Sequence, residues 1–345
     1  MPKQKPAIIC KSCNSTSIVK RGFAKNKLQS FQKYQCKGCK SIFTLEQVKH
    51  KTYPLKVILN AISTYNIGYS LEQTAEKINR NYNLGISPKT ISNWINEYKN
   101  ICTFARLRKD AIKQFSPKNV ISKKVLSHIQ PYTFKYHKAK LNLILKENPQ
   151  FAILQDYLQK INSKDFPDHI FTYNKNNSNN TNIEQRASQL KFKHLKITHV
   201  QKQNQANQLA KLALNLAKDN KQRHQAIQDF MLINDSTTIA TELPVYLTNW
   251  DAGYYRNQRG FIFPLSNYKI PITGHIDILQ IRNRLIHILD YKPTAHKEEP
   301  IEQLTIYALA LSRKLNLELY YFKCAWFDEN NYFEFFPLHA VYEKR

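Results

Sequence analysis

Two acidic residues and one lysine near the C-terminal end of the chain have the types and spacing for metal-dependent chemistry. Asp277 lies in one run of aliphatic residues, and Asp290 and Lys292 lie in a second run shortly after it. Both runs are predicted to be β-strands. Asn283 lies between them and tolerates a left-handed turn, so the strands are predicted to form a hairpin. Because side chains two residues apart on a strand leave the same face, Asp290 and Lys292 should lie together, with Asp277 beside them on the paired strand.

These three side chains suit the hydrolysis of a phosphodiester bond. Two carboxylates provide the oxygen ligands that a hard cation such as Mg²⁺ prefers. A lysine beside them can hold the attacking water or neutralise charge that develops on the phosphate. We therefore expect a site that depends on Mg²⁺ or Mn²⁺, with Asp277 and Asp290 as metal ligands.

A helix is predicted directly after the hairpin. Two acids followed by Pro300 are typical of a helix start, and an apolar stripe at helical spacing follows them. Gln303 and Tyr307 are four residues apart, so they share one face of this helix. On this spacing alone, Tyr307 can simply be a residue of the core.

The order of these motifs resembles the PD-(D/E)XK nuclease superfamily, and most closely its RecB-like branch. The resemblance covers roughly Gln205 to Phe335 and is carried by Gly274-His275-Ile276-Asp277, by Asp290-Tyr291-Lys292 and by the helix with Gln303 and Tyr307. It implies a restriction-endonuclease-like α/β domain with a mixed sheet over 205–345.

The same resemblance implies roles for individual residues. Asp277 and Asp290 would be metal ligands and Lys292 the catalytic lysine. Gln303 would orient this lysine or a DNA phosphate, with Tyr307 in support. Glu242 fits the acidic residue that the branch often has on its first core strand, and the alternative for Glu242 is a solvent-facing strand residue. The iron–sulfur cluster of several members is not expected here, since Cys324 is the only cysteine in the region.

The N-terminal end of the chain has two Cys-x-x-Cys pairs, Cys10 with Cys13 and Cys36 with Cys39. The two-residue gap lets both thiolates of a pair reach one tetrahedral ion, so the spacing predicts a zinc ribbon over 1–50. Four cysteine ligands leave no open position, which makes the Zn²⁺ structural. A disulfide framework is the alternative. The sequence has no signal peptide and no membrane-spanning stretch, so we expect a cytoplasmic, nucleoid-associated chain with reduced thiols.

A helix-turn-helix region is predicted over 51–103. Ser70 begins a capping-box-like helix start, and Ser87 with Pro88 begins a third helix. The three helices resemble the helix-turn-helix of transposases and resolvase-like proteins, and the ribbon resembles the N-terminal zinc ribbons of transposase-type proteins. Zinc ribbons also serve as protein-binding modules, which is the alternative for the ribbon. The third helix would enter the major groove of DNA. A helical bundle that binds nothing is the alternative. The residues of the third helix that lie off its apolar stripe are predicted to contact DNA: Lys89, Thr90, Ser92 and Asn93.

Composition favours a nucleic-acid partner. The 345 residues have a formal net charge of +27 and a pI of about 9.7. Such an excess of lysine and arginine gains free energy by releasing the counterions of a polyanion. A membrane surface is also anionic, but the sequence shows no basic amphipathic helix with a broad apolar face that would bind one. A homo-oligomer is compatible with the sequence. The length suffices for two or three domains.

The region 104–204 is predicted to be a helical linker with an asparagine-rich loop at 174–182. A basic aromatic patch between Tyr132 and Lys138 either contacts DNA or belongs to a core. The stretch from Gln205 to Phe230 is predicted to be helical and to precede the first core strand.

The sequence therefore predicts a multidomain protein with a zinc ribbon, a helix-turn-helix and an α/β nuclease domain. Its predicted function is metal-dependent DNA cleavage, targeted by the N-terminal regions, in a mobile element, in defence or in repair. Two alternatives are a DNA-binding regulator with an inactive nuclease fold and a transposase-like strand-transfer protein.

Overall fold

The computed structural model describes residues 8–10, 12–25, 30–44, 52–128, 130–172, 186–192, 200–217, 219–263 and 271–341. These residues form a small three-stranded sheet, a group of three helices, and a larger α/β part around an eight-stranded mixed sheet. The asparagine-rich run 174–182 lies outside the described residues.

The small sheet is antiparallel, with the order β1-β2-β3. Its two cysteine-bearing turns have the same backbone pattern. Cys10 donates its N–H to Ser15 and Cys36 donates its N–H to Ser41. Each turn is completed by a residue with a left-handed backbone at a φ near +60°. The strands are β1 Ile18–Lys25, β2 Ser30–Cys36 and β3 Ile42–Thr44.

The three-helix group begins where the cap signals predict. The Ser70 side chain accepts the backbone N–H of Gln73, whose side chain returns the bond, so the capping box is complete. The Ser87 side chain accepts the N–H of Thr90, and Pro88 occupies the first turn. These caps satisfy N–H groups that a helix start leaves unpaired. The helices are α1 Leu55–Ile67, α2 Leu71–Tyr82 and α3 Pro88–Tyr98.

The large sheet has the order β4-β5-β7-β8-β9-β10-β11-β6. Neighbouring strands are antiparallel except β9 and β10, which are parallel. The strands are β4 Ile121–His128, β5 Gln130–His137, β6 Val200–Gln201, β7 Thr238–Leu247, β8 Ile272–Arg282, β9 Leu285–Tyr291, β10 Phe322–Phe327 and β11 Tyr332–Phe335.

The region 104–204 differs from the expected helical linker, because β4 and β5 add two strands to the large sheet. Lys135 of β5 pairs with Thr241 of β7. Phe134 and Tyr136 are buried in the core, so the aromatic residues of the basic patch are largely structural. Alternation of side chains between two faces of a strand explains how basic residues intersperse with them.

Helices cover both faces of the large sheet. One core lies between the sheet and a set of helices that includes α6 and α11. A second core lies between the sheet, α8, α9 and the three-helix group. The predicted helical stretch from Gln205 to Phe230 is two helices. The helices of this part are α4 Arg108–Ala111, α5 Lys138–Glu147, α6 Ala152–Ile161, α7 His169–Thr172, α8 Gln205–Ala213, α9 Arg223–Asn234, α10 Asn249–Arg259, α11 Ile301–Leu315 and α12 Leu338–Val341.

Lys140 of α5 is a fully buried cation that joins α9 to β7. Its ammonium donates to the carbonyl oxygens of Leu232 at 2.6 Å, Asp235 at 2.5 Å and Thr238 at 2.7 Å. Three acceptors match the three N–H bonds of an ammonium. The segment between α9 and β7 is thereby held by a residue from the region 104–204.

No helix among the described residues is long and apolar enough to cross a membrane.

Candidate active site and cysteine cluster

The hairpin of β8 and β9 forms as the sequence predicts. Asn283 and Arg284 both have left-handed backbones, with φ values of 53° and 59°. Two successive left-handed residues form the turn that matches the twist of a two-stranded hairpin. The turn sets the pairing register of the two strands, and this register positions the acidic side chains.

Three carboxylates lie side by side across three neighbouring strands. The register of β7 against β8 places Glu242 opposite Asp277. The register of β8 against β9, continued by one residue, places Asp290 opposite Asp277. Beyond the pair of Ile278 and Leu289, a side chain takes part in the bonding between β8 and β9: the Asp277 carboxylate accepts the backbone N–H of Tyr291 at 3.2 Å. The sheet therefore brings together acids that are distant in sequence.

Lys292 completes this row. Its Nζ lies 3.0 Å from Oδ2 of Asp290 and 4.0 Å from a carboxylate oxygen of Glu298. Oδ2 of Asp290 is buried and has no hydrogen bond of good geometry among the described residues, although it is within ion-pair distance of Lys292. A buried carboxylate oxygen without a hydrogen-bond donor is suited to a bound cation.

Burial and the neighbouring charges shift the pKa values of the carboxylates. Burial and the charge of Asp277 raise the pKa of Asp290 well above its usual value, against the pull of Lys292. Burial and the charge of Asp277 also raise the pKa of Glu242 to about 7, against a hydrogen bond from Gln228. Three crowded acids with one lysine are short of positive charge, which a divalent cation would provide.

The surroundings favour the charged forms of the other two groups, Asp277 and Lys292. Burial disfavours the charged form of Asp277, but His224 and Lys292 outweigh it and lower the pKa of Asp277. Burial also disfavours a charged Lys292, but the Asp290 and Asp277 carboxylates outweigh it and raise the pKa of Lys292. An ionised Asp277 and a protonated Lys292 are the forms that can hold a cation and stabilise an anionic phosphate, respectively.

Glu242 has an unusual backbone for a strand residue. Its φ is +52°, inside β7. A left-handed conformation in a residue other than glycine costs about 1–3 kcal/mol and persists only where its surroundings hold it. Oε1 of Glu242 accepts the side-chain N–H of Gln228 at 2.6 Å. Backbone and side chain together therefore direct this carboxylate toward Asp277.

The structure adds two residues of α9 that the sequence did not single out. His224 places its Nδ1 3.6 Å from Oδ2 of Asp277, and its ring meets Tyr291 edge to face with centroids 5.0 Å apart. Gln228 holds Glu242. His224 and Gln228 are four residues apart and share one helix face, which is the sequence signal that could have identified them.

Gln303 and Tyr307 lie beside the row as a bonded pair. The side-chain N–H of Gln303 donates to the Tyr307 hydroxyl at 3.0 Å. The Tyr307 ring is 6% exposed and lies against Gly274, where an added Cβ would come within 2.2 Å of the ring. Burial and the charges of Asp290 and Asp277 raise the pKa of Tyr307 above its usual value. The glycine of the Gly-x-Ile-Asp motif thus allows α11 to approach β8.

Four cysteines of the small sheet form a second cluster. The sulfurs of Cys10, Cys13, Cys36 and Cys39 all lie within 4.8 Å of one another. The Cys10–Cys39 and Cys13–Cys36 sulfur distances are both 3.5 Å, which is longer than a disulfide bond of about 2.05 Å. Four sulfurs around a tetrahedral zinc, with bonds of about 2.3 Å, stand roughly 3.8 Å apart. The cluster can therefore hold a metal ion such as zinc.

The four predicted DNA contacts on α3 differ in exposure. Lys89 and Asn93 are exposed, whereas Thr90 and Ser92 are half-buried. The Thr90 hydroxyl lies 3.0 Å from the hydroxyl of Ser87 at the helix cap. Lys89 and Asn93 are thus the two of this set that are best placed to meet a partner.

Comparisons with protein-family models, with curated proteins and with solved structures found no match.

Proposed function

We propose that this protein is a metal-dependent DNA nuclease of the PD-(D/E)XK type, closest to the RecB-like branch. The observation that supports it most is the row of Glu242, Asp277 and Asp290 across β7, β8 and β9, with the Lys292 ammonium 3.0 Å from Asp290. Three converging carboxylates and one lysine are a donor set for a hard divalent cation at which a phosphodiester is hydrolysed.

In this proposal each side chain has a physical task. Asp277 and Asp290 hold Mg²⁺ or Mn²⁺, which when bound activates water and offsets negative charge on the phosphate. Lys292 supplies a fixed positive charge where the phosphate becomes more anionic. Glu242 adds an oxygen beside Asp277, and His224 offers a ring nitrogen 3.6 Å from Oδ2 of Asp277. Gln303 and Tyr307 support the site from α11.

The N-terminal parts act as the reader in this proposal. Zn²⁺ at the four-cysteine cluster holds the ribbon, and α3 presents Lys89 and Asn93 to DNA. The net charge of +27 provides the attraction to the phosphate backbone. A DNA nuclease with its own reader suits a mobile element, defence or repair.

The test incubates the purified full chain with closed circular and linear DNA, with EDTA, Mg²⁺ or Mn²⁺. We expect cleavage only with the divalent metals. Asp277→Ala, Asp290→Ala and Lys292→Ala should each abolish it while DNA binding stays near wild type. Asp156→Ala removes an exposed acid of α6 and is the matched control.

The products separate the alternatives. Free cut ends support hydrolysis, whereas joined ends indicate transposase-like strand transfer. A wild-type chain that binds DNA but cuts neither DNA nor RNA with any divalent metal is a regulator, and the nuclease proposal then fails.

A further inference from the structure

Helix α9 contacts both the carboxylate row and the three-helix group. Toward its N-terminal end, His224 approaches Asp277 and Gln228 holds Glu242. At its C-terminal end, Asn234 is fully buried and is hydrogen-bonded to α1. His224 and Asn234 are ten residues apart, a separation of about 15 Å along a helix. One short rigid element therefore links the candidate active site to the candidate reader.

The contact between α9 and α1 is polar and buried. The Asn66 amide donates to Oδ1 of Asn234 at 2.8 Å, and the Asn234 amide donates to the Ser63 hydroxyl at 2.8 Å. Asn66 is 1% exposed. Buried amides lose hydrogen bonds if either helix slides or rotates, and an unpaired buried polar group is costly. The pair therefore fixes the register of α1 on α9.

Residues between α3 and β4 bond to α1 and to the segment after α9. The Arg108 guanidinium donates to the carbonyl oxygens of Tyr65 at 2.7 Å and Tyr69 at 2.6 Å, around the C-terminal end of α1. The Thr103 hydroxyl accepts the backbone N–H of Ser236, between α9 and β7, at 3.0 Å. Apolar residues of the three helices, of α8 and α9 and of one face of the large sheet form a continuous core. The three helices and the sheet therefore behave as one body.

We infer that α9 holds the carboxylate row at a fixed distance and orientation from α3, so that this protein cuts duplex DNA at a constant offset from the sequence it reads. This inference rests on the proposed function and narrows its substrate to duplex DNA that contains a recognised sequence. A flexible tether between reader and nuclease would instead allow a range of positions, since its end-to-end distance is distributed.

The first experiment measures the rigid link and needs no cleavage. Spin labels on unnatural amino acids replace Asn96 on α3 and Trp250 on α10 of the full chain, both at exposed positions. Electron–electron distance measurements should give one narrow distribution, with and without DNA. A broad or multiple distribution overturns the inference, whether or not the protein cuts DNA.

The second experiment maps reading and cutting on the same DNA fragments. The Asp290→Ala protein gives the protected regions by footprinting, and the wild-type protein with Mg²⁺ gives the cut positions. Cuts at one constant distance from each protected region support the inference. Cuts scattered around the protected regions overturn it and leave the nuclease proposal intact, whereas no cuts in any metal refute the nuclease proposal and the offset together.

A charge in the junction tests the role of the amide pair. Asn66→Asp buries an acid against Oδ1 of Asn234, whereas Gln73→Glu adds the same charge at an exposed position of α2 and can keep the capping box. We expect Asn66→Asp to broaden both the spin-label distances and the spread of cut positions, with Gln73→Glu unchanged. Circular dichroism verifies that both variants are folded. A folded Asn66→Asp protein with wild-type distances and offsets overturns the assignment of the link to this contact.

Discussion

Substitution of Gly274 by alanine probes the close approach of α11 to β8. A Cβ at this position would lie 2.2 Å from Cε1 of Tyr307, and 3.1 Å from both Cδ1 and Cζ. Carbon atoms in favourable contact are about 3.5–4.0 Å apart, so the methyl group would overlap the ring by more than about 1 Å. The ring is buried and its hydroxyl is bonded to Gln303, which limits its room to move.

We expect Gly274→Ala to lower the free energy of unfolding by about 1–3 kcal/mol, the usual cost of overpacking a core. Relief of the overlap must displace either the Tyr307 ring or β8, and Asp277 lies three residues further along β8. Cleavage should therefore fall as well. Urea unfolding of the full chain measures the stability, and a nuclease assay with Mg²⁺ measures the activity.

A double-mutant cycle identifies the cause of the loss. Tyr307→Ala removes the ring that the new methyl group would strike, so Gly274→Ala should cost much less in that background. Gly253→Ala is the matched control, because a Cβ there meets nothing within 4 Å, and replacing a helical glycine by alanine typically stabilises by about 0.5–1 kcal/mol. Equal costs of Gly274→Ala with and without the Tyr307 ring would refute the steric explanation.

Three further predictions concern other parts of the molecule. We expect about one zinc ion per chain. Cys36→Ser should remove most of this zinc and weaken DNA binding. Metal analysis that finds no zinc in the reduced wild-type protein contradicts the prediction. Burial lowers the pKa of Lys140 to about 7 against the opposing charge of Asp235, whereas an unfolded lysine titrates near 10.5. Between pH 7 and 8 this residue therefore binds more protons in the unfolded chain than in the folded one. It makes the free energy of unfolding rise with pH, by at most about 1.4 kcal/mol per pH unit. Lys140→Met should abolish this contribution, and urea unfolding with the same pH dependence in both proteins would refute the prediction. DNA affinity should fall steeply with salt because lysines and arginines displace counterions; an affinity that is unchanged between low and moderate salt argues against backbone contacts.

Local signals predicted much of the secondary structure. The turn at Asn283, the caps at Ser70 and Ser87 and the helix after Pro300 each depend on residues within a few positions of one another. Such signals act through short-range hydrogen bonds and backbone preferences, which do not need the rest of the fold. The two cysteine turns were predictable for the same reason, since each Cys-x-x-Cys pair is local, whereas the pairing of β1 with β2 brings the two turns together.

Features that depend on distant residues were not predictable in this way. The position of β5 beside β7 requires Lys135 and Thr241 to meet across more than 100 residues. The approach of His224 to Asp277, and the hydrogen bond from Gln228 to Glu242, follow from how α9 packs on the sheet. A single sequence shows the types of these residues but not the packing that brings them together.

The buried ammonium of Lys140 sets a limit on how this chain can be divided. A fragment over 205–345 would lack α5, and the carbonyls of Leu232, Asp235 and Thr238 would lose their shared donor. It would also lack β5, so β7 would become an open edge that can pair with another chain. Such a fragment should aggregate or unfold. Any division of the chain would therefore have to keep β4, β5 and α5 with the rest of the large sheet, and the contact of α1 with α9 extends this requirement to the three-helix group.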